Sequence, residues 1–215
     1  MYNVSDINTN SLSFGAVKSL DNGGKILYMN HNNKPLVFAI NQMHVPFGLS
    51  VWDNANAGAN VKYNINLSFP EGDDTLLDKI KGVEDRIIDE AFANSKAWFK
   101  KSYTSRAVVA ELFTSCIKYP KENGEISQKY RPTIQLTLPF KNGAFECQAY
   151  SADRTAFEIS KETITKGSKM EAIVQFSCIW MAGTKFGCTM KVLQMKVTPS
   201  RGTLVYAFVD DEDDA

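Results

Sequence analysis

Residues 61–69 (VKYNINLSF) alternate strictly. Tyr63, Ile65, Leu67 and Phe69 fall on one side and Lys62, Asn64, Asn66 and Ser68 on the other, the period-two pattern of a half-buried strand. The stretch 133–140 (TIQLTLPF) repeats the pattern, and 144–150 reads as the strand returning from it. Apolar runs at 25–30, 35–41 and 47–52 predict earlier strands, and 172–180 and 186–197 predict two long ones joined across 181–185. Shorter strands are expected at 12–17, 117–119 and 203–209. Asp21-Asn22-Gly23-Gly24, His31-Asn32-Asn33-Lys34, Lys121-Glu122-Asn123-Gly124 and Lys141-Asn142-Gly143 supply the turn chemistry between them.

One segment has a different period. Leu76, Leu77, Ile80, Val83, Ile87, Ile88, Ala91 and Phe92 recur at helical spacing. Thr75 and Asp78 fit a capping box behind Asp73 and Asp74, and Lys96, Lys100 and Lys101 suit a C-terminus, so the spacing predicts one helix from 75 to about 100. Residues 106–113 fit strand or helix equally. The strands lie too close together for βαβ crossovers, and no repeat or long linker divides the chain. The fold class expected is mainly β: a closed or partly closed antiparallel barrel with one inserted helix, a two-layer sandwich being the alternative.

Composition changes this picture in one respect. Apolar content of 44% and charged content of 22% are those of a folded domain, and the net charge is zero. However, Asp210, Asp211, Glu212, Asp213 and Asp214 form an unbroken acidic run. Without them 24 basic residues face 19 acidic ones, so residues 1–209 carry +5. The expected organisation is therefore one domain over 1–209 and an acidic tail over 210–215. No apolar run approaches the roughly 18 residues of a membrane span, and the polar N-terminus suggests a protein that is not secreted. The four cysteines read as buried free thiols of a reducing compartment.

Catalytic and metal signatures are missing. His31 and His44 form no metal-binding pair, and no phosphate-binding loop or nucleophile elbow occurs. Cys116, Cys147, Cys178 and Cys188, at gaps of 31, 31 and 10, lack zinc-site spacing. A hairpin centred on Gly183 would set Cys178 opposite Cys188 as a packed pair. The expectation is no enzyme, no cofactor and no metal.

Cationic and aromatic residues interleave instead, the combination that single-stranded nucleic acid requires: lysine and arginine for phosphates, ring faces for bases. Lys100, Lys101 and Tyr103 run into Arg106. Lys118-Tyr119 and Lys121 follow, then Lys129-Tyr130-Arg131, and Trp180 and Phe186 flank Lys185 with Lys191 beyond. These fourteen residues are the candidate DNA-binding set.

The run 174–180 (VQFSCIW), then 185–197 (KFGCTMKVLQMKV) and Tyr206-Ala207-Phe208-Val209 before an acidic end, resembles the phage T7-type single-stranded DNA-binding proteins. The likeness is nearest to the versions carried by large nucleocytoplasmic DNA viruses. It is good over about the last 45 residues and architectural elsewhere. It implies an OB-fold barrel without catalytic activity, serving viral DNA replication, recombination and repair at the host-cell site of that replication, nucleus or cytoplasmic factory. It also implies a regulatory tail, Asp210–Asp214, that competes with DNA for the groove and contacts a DNA polymerase, helicase or primase. A homodimer is one assembly left open. This tail departs from the family in ending on five acids and Ala215 instead of a terminal aromatic. A viral scaffold β-sandwich without nucleic-acid affinity is the competing expectation.

Overall fold

A computed structural model describes residues 2–52 and 61–200. Five strands carry the architecture: β1 (Val37–His44), β2 (Lys62–Ser68), β3 (Thr133–Leu138), β4 (Lys169–Ala182) and β5 (Lys185–Thr198). His44 of β1 pairs with Ser68 of β2, and β2 runs antiparallel to β3 from Ser68–Thr133 to Tyr63–Leu138. Thr137 of β3 meets Lys191 of β5 in parallel. β5 pairs along β4, and β4 returns to β1 from Lys169–His44 to Gln175–Val37. The circuit therefore closes in the order 1-2-3-5-4-1, with its one parallel contact between β3 and β5. This is the Greek-key barrel order of an OB fold, and closure of the sheet displaces the sandwich alternative.

The alternation read in the sequence sets what faces inward. Ile65 and Leu67 of β2, Ile134, Leu136 and Leu138 of β3, and Phe38 and Ile40 of β1 are buried, together with Val174, Phe176, Met190 and Val192 of the long hairpin. Lys62, Asn64, Asn66, Gln135, Thr137 and Lys191 take the outer side.

Two seams of the barrel are narrow, with a single registered pair each, and both are filled by added strands. Leu49–Trp52 folds back along β2, setting Ser50 opposite Asn64 and Trp52 opposite Lys62. Between β3 and β5 the run 113–118 enters. Phe113 and Thr114 pair with Phe186 and Gly187, and Ile117 and Lys118 pair with Ile134 and Thr133.

The predicted helix is two helices, α1 (Thr75–Ala93) and α2 (Ser95–Phe99), and a third, α3 (Arg106–Leu112), follows in the stretch that fitted strand or helix. The first ends at Asn94, whose side-chain amide donates back to the Glu90 carbonyl and carboxylate. The second ends at Lys100 in the left-handed region (φ 59°). The Thr75–Asp78 capping box does not form. Asp74 occupies the N-cap, and the Asp73 carboxylate accepts from the Thr75 amide at 2.9 Å. Residues 106–113 resolve as a helix that turns to strand at Phe113. The apolar stripe of α1 is buried, and one charged residue, Glu84, is buried with it.

The predicted turns form. Asn123-Gly124 and Asn142-Gly143 both have positive φ at two successive positions, as type I′ hairpins require. The β4–β5 turn differs by half a residue from the sequence expectation. Ala182 pairs with Lys185, so the turn is centred between Gly183 and Thr184. Cys178 consequently faces Thr189, and Cys188 faces Ile179; the expected Cys178–Cys188 pair does not exist. The strand predicted at 203–209 and the acidic run lie outside the described residues.

Candidate nucleic-acid interface

Register assembles one continuous row on the outer wall of the barrel. Ser50 stands opposite Asn64, Asn64 opposite Thr137, Thr137 beside Lys191, and Lys191 opposite Gln175. The Thr137 hydroxyl donates to the Asn64 side-chain oxygen at 3.1 Å, which fixes the centre of the row. Asn66 and Gln135 stand opposite each other in the next row on one side. On the other, the Lys62 ammonium lies over the ring of Trp52 at 5.5 Å, and Trp52 is 51% exposed. A cleft of about 130 Å³ continues the wall toward the β4–β5 turn, between Lys118, Gln135, Thr137, Trp180 and Thr189. Among the described residues no Asp or Glu side chain stands in these rows. The wall therefore offers cations, amides, hydroxyls and indole faces to phosphates and bases.

Trp180 reaches its place because Gly187, opposite it on β5, has no side chain. A Cβ there would stand 2.6 Å from the Thr114 carbonyl oxygen and 2.8 Å from the Trp180 ring. Gly187→Ala is expected to lower stability by about 1–3 kcal/mol through overpacking. The readout is the midpoint of urea unfolding; an unmoved midpoint would mean that the 113–114 strand yields without loss.

The sequence-predicted residues divide into three groups. Lys118, Trp180 and Lys191 lie on the wall just described. Tyr119, Lys121, Lys129 and Tyr130 sit on or beside the short hairpin that precedes β3. Tyr119 and Tyr130 are exposed there, and the Lys129 ammonium lies 5.0 Å from the Tyr130 ring centre. Lys185 stands at the β4–β5 turn, its ammonium donating to the Glu111 carbonyl at 2.9 Å. Lys100 and Lys101 are exposed after α2, and Lys101 lies 5.1 Å from the ring centre of half-buried Tyr103.

Three residues have structural work elsewhere. Phe186 is fully buried, with its ring centre 5.2 Å from Phe99, 5.2 Å from Phe113 and 6.4 Å from Trp98, so no base can reach it. Arg106 ties α3 to α1 by ion pairs to Asp89 (2.5 Å) and Asp85 (3.1 Å), and those two hydrogen bonds hold its pKa above the ordinary value. Arg131 is paired with Asp74 at the start of α1. Both guanidinium charges are therefore already met, in whole or in part, by carboxylates.

Trp52, Lys62, Asn64, Asn66, Gln135 and Thr137 are absent from the sequence-predicted set. The alternation of β2 and β3 marks their polar sides but not which polar sides align. That alignment comes from long-range register.

Beneath the wall lies a buried polar cluster. One Glu84 oxygen accepts from the Cys116 amide at 2.8 Å and from its thiol at 3.0 Å, and the other accepts from the Ser115 hydroxyl at 2.7 Å. Cys188 of β5 completes the group. Its hydrogen bond, then burial and the nearby carboxylate, hold the Cys116 thiol well above its ordinary pKa. Burial pushes the Cys147 thiol up to about 11.

The solved structures similar to this chain include two phage proteins. One is gp2.5, a single-stranded DNA-binding protein encoded by bacteriophage T7, at 12% identity and TM-score 0.48 over 81% of this chain and 98% of that one. The other is the single-stranded DNA-binding protein of bacteriophage Enc34 in complex with ssDNA, at 13% identity and TM-score 0.40 over 87% and 91%. No curated protein matches in sequence. A family model described as a family of unknown function (DUF5871) matches residues 59–210, from the start of β2 through β5 and beyond, and the chain belongs to that family.

Proposed function

We propose that this protein binds single-stranded DNA, without catalysis, along the outer wall of β2, β3 and β5. The observation that carries the reading is the row of Asn64, Thr137 and Lys191 on the β2–β3 face, flanked by Lys62 and free of acids among the described residues, on the face by which OB barrels hold oligonucleotides. Trp52 and Trp180 supply ring surface at its two ends, and Tyr119 and Tyr130 extend it along the neighbouring hairpin. The likeness of the C-terminal hairpin residues to the T7-type family supports a place in viral DNA replication, recombination and repair. The same likeness supports the acidic run as a competitor for the wall and as the contact for a replication partner such as a polymerase, helicase or primase.

The test is fluorescence anisotropy of labelled oligo-dT across a salt series. Binding should weaken steeply with salt, with a log–log slope near −2 if the wall's three lysines meet phosphates at about 0.7 each. A flat response, or equal affinity for duplex, would remove the reading. Deleting residues 210–215 is expected to tighten binding several-fold at low salt, since an internal polyanion no longer competes. Unchanged affinity would dispose of tail competition and leave the wall intact.

A further inference from the structure

We propose that Glu84, Cys116 and Cys188 form a site for a single thiophilic divalent cation of the zinc class. The three residues come from α1, from the 113–118 run and from β5, and their ligand atoms all lie within 4.8 Å of one another. All three are buried. Tetrahedral zinc, with bonds near 2.3 Å to sulfur and 2.1 Å to oxygen, sets its ligands about 3.6–3.8 Å apart. The Cys116 sulfur and the Glu84 oxygen, at 3.0 Å, need to separate by roughly half an ångström to admit it. Two thiols and a carboxylate favour zinc over magnesium or calcium, which take oxygen ligands.

Glu84 is already oriented as a ligand. The Ser115 hydroxyl holds its outer oxygen and the Cys116 amide holds its inner one, the kind of supporting contacts that fix metal-binding carboxylates. On binding, the inner oxygen exchanges the Cys116 S–H for the metal and keeps the amide. Each thiol releases its proton to solvent.

A carboxylate buried only to tie α1 to the barrel would account for Ser115 and Cys116. It does not call for Cys188, which makes no hydrogen bond to Glu84, meets the Cys116 thiol instead, and brings a second sulfur to the carboxylate from a different strand. Both cysteines also line the cleft that opens between Lys118 and Thr189. This gives the metal an entry path and places a water in the fourth position. The metal would tie α1, the seam strand and β5 together directly under the outer wall, whatever that wall binds.

The experiment uses the full chain without a histidine tag, reduced and freed of metal, titrated with Co²⁺. One equivalent should produce thiolate-to-cobalt charge-transfer absorption and the intense visible bands of tetrahedral cobalt, both abolished by one equivalent of Zn²⁺. Cys188→Ser, which leaves the Glu84 hydrogen bonds in place, should lower Zn²⁺ affinity at least about 100-fold in competition with a chromophoric chelator. Cys147→Ser should leave it unchanged, and thermal melts of the metal-free proteins should show that both variants are folded. The proposal is overturned if the reduced protein gives no cobalt bands, or if the bands survive Cys188→Ser. It is also overturned if the protein takes up no metal while peptide mapping finds a Cys116–Cys188 disulfide after mild oxidation.

Discussion

Replacing Lys62, Lys118 and Lys191 together by alanine should weaken binding to oligo-dT by about 100-fold at moderate salt and flatten the log–log salt slope by about two. The three lysines stand on one wall, and none is paired with a carboxylate among the described residues. Lys62 rests on the Trp52 ring, and Lys118 donates to the Ser115 carbonyl at 2.8 Å. Their charge is thus free to displace the counterions of a strand laid across β2, β3 and β5. Arg106 and Arg131 are the internal comparison, because their charge is already met by Asp85, Asp89 and Asp74. Arg106→Ala should loosen α3 and leave the salt slope alone. Trp52→Ala should separate stacking from charge, costing about 1–3 kcal/mol of binding with little change in slope. If the triple variant binds like the parent, the wall is not the interface.

The barrel was legible because its signal is local. Alternation in 61–69 and 133–140 set which side chains enter the core, and paired Asn-Gly turns fixed the short hairpins. Each is decided within about ten residues. The order of the circuit was not legible, because the parallel contact of Thr137 with Lys191 joins strands more than fifty residues apart. The interface followed the same divide. Lysine–tyrosine pairs in turns were visible as surface chemistry, whereas the row Ser50–Asn64–Thr137–Lys191 exists only once four strands are in register. The helix boundary failed for a related reason. The apolar spacing of 75–92 continues into Trp98 and Phe99 as if unbroken, yet those two rings turn away from the α1 stripe to pack on Phe186. Glu84, inside that stripe, carries no local sign of its burial, because Ser115 and Cys116 reach it from the 113–118 run about thirty residues on.

Phe186 shows how far a motif can mislead about burial, and its substitution should produce the largest stability change. In sequence it sits between Lys185 and Gly187, close to Trp180, as an exposed stacking residue would. In the fold it occupies an inward position of β5 opposite Met181, and α2 and the 113–114 strand close over it. Three aromatic neighbours hold it at tilted or edge-on angles, which adds to the apolar burial. Phe186→Ala should therefore cost about 3–5 kcal/mol, measured as the free energy of urea unfolding. Under conditions where the variant is still folded, its affinity for oligo-dT should stay within about threefold of the parent, since the ring never meets a base. Trp52→Ala should do the reverse, weakening binding while leaving the urea midpoint within about 0.5 kcal/mol, because its ring is largely exposed. A Phe186→Ala protein that unfolds like the parent but loses DNA would place the ring on the surface and undo the packing described for α2. Opposite responses from the two substitutions would separate the core of the barrel from its outer wall residue by residue.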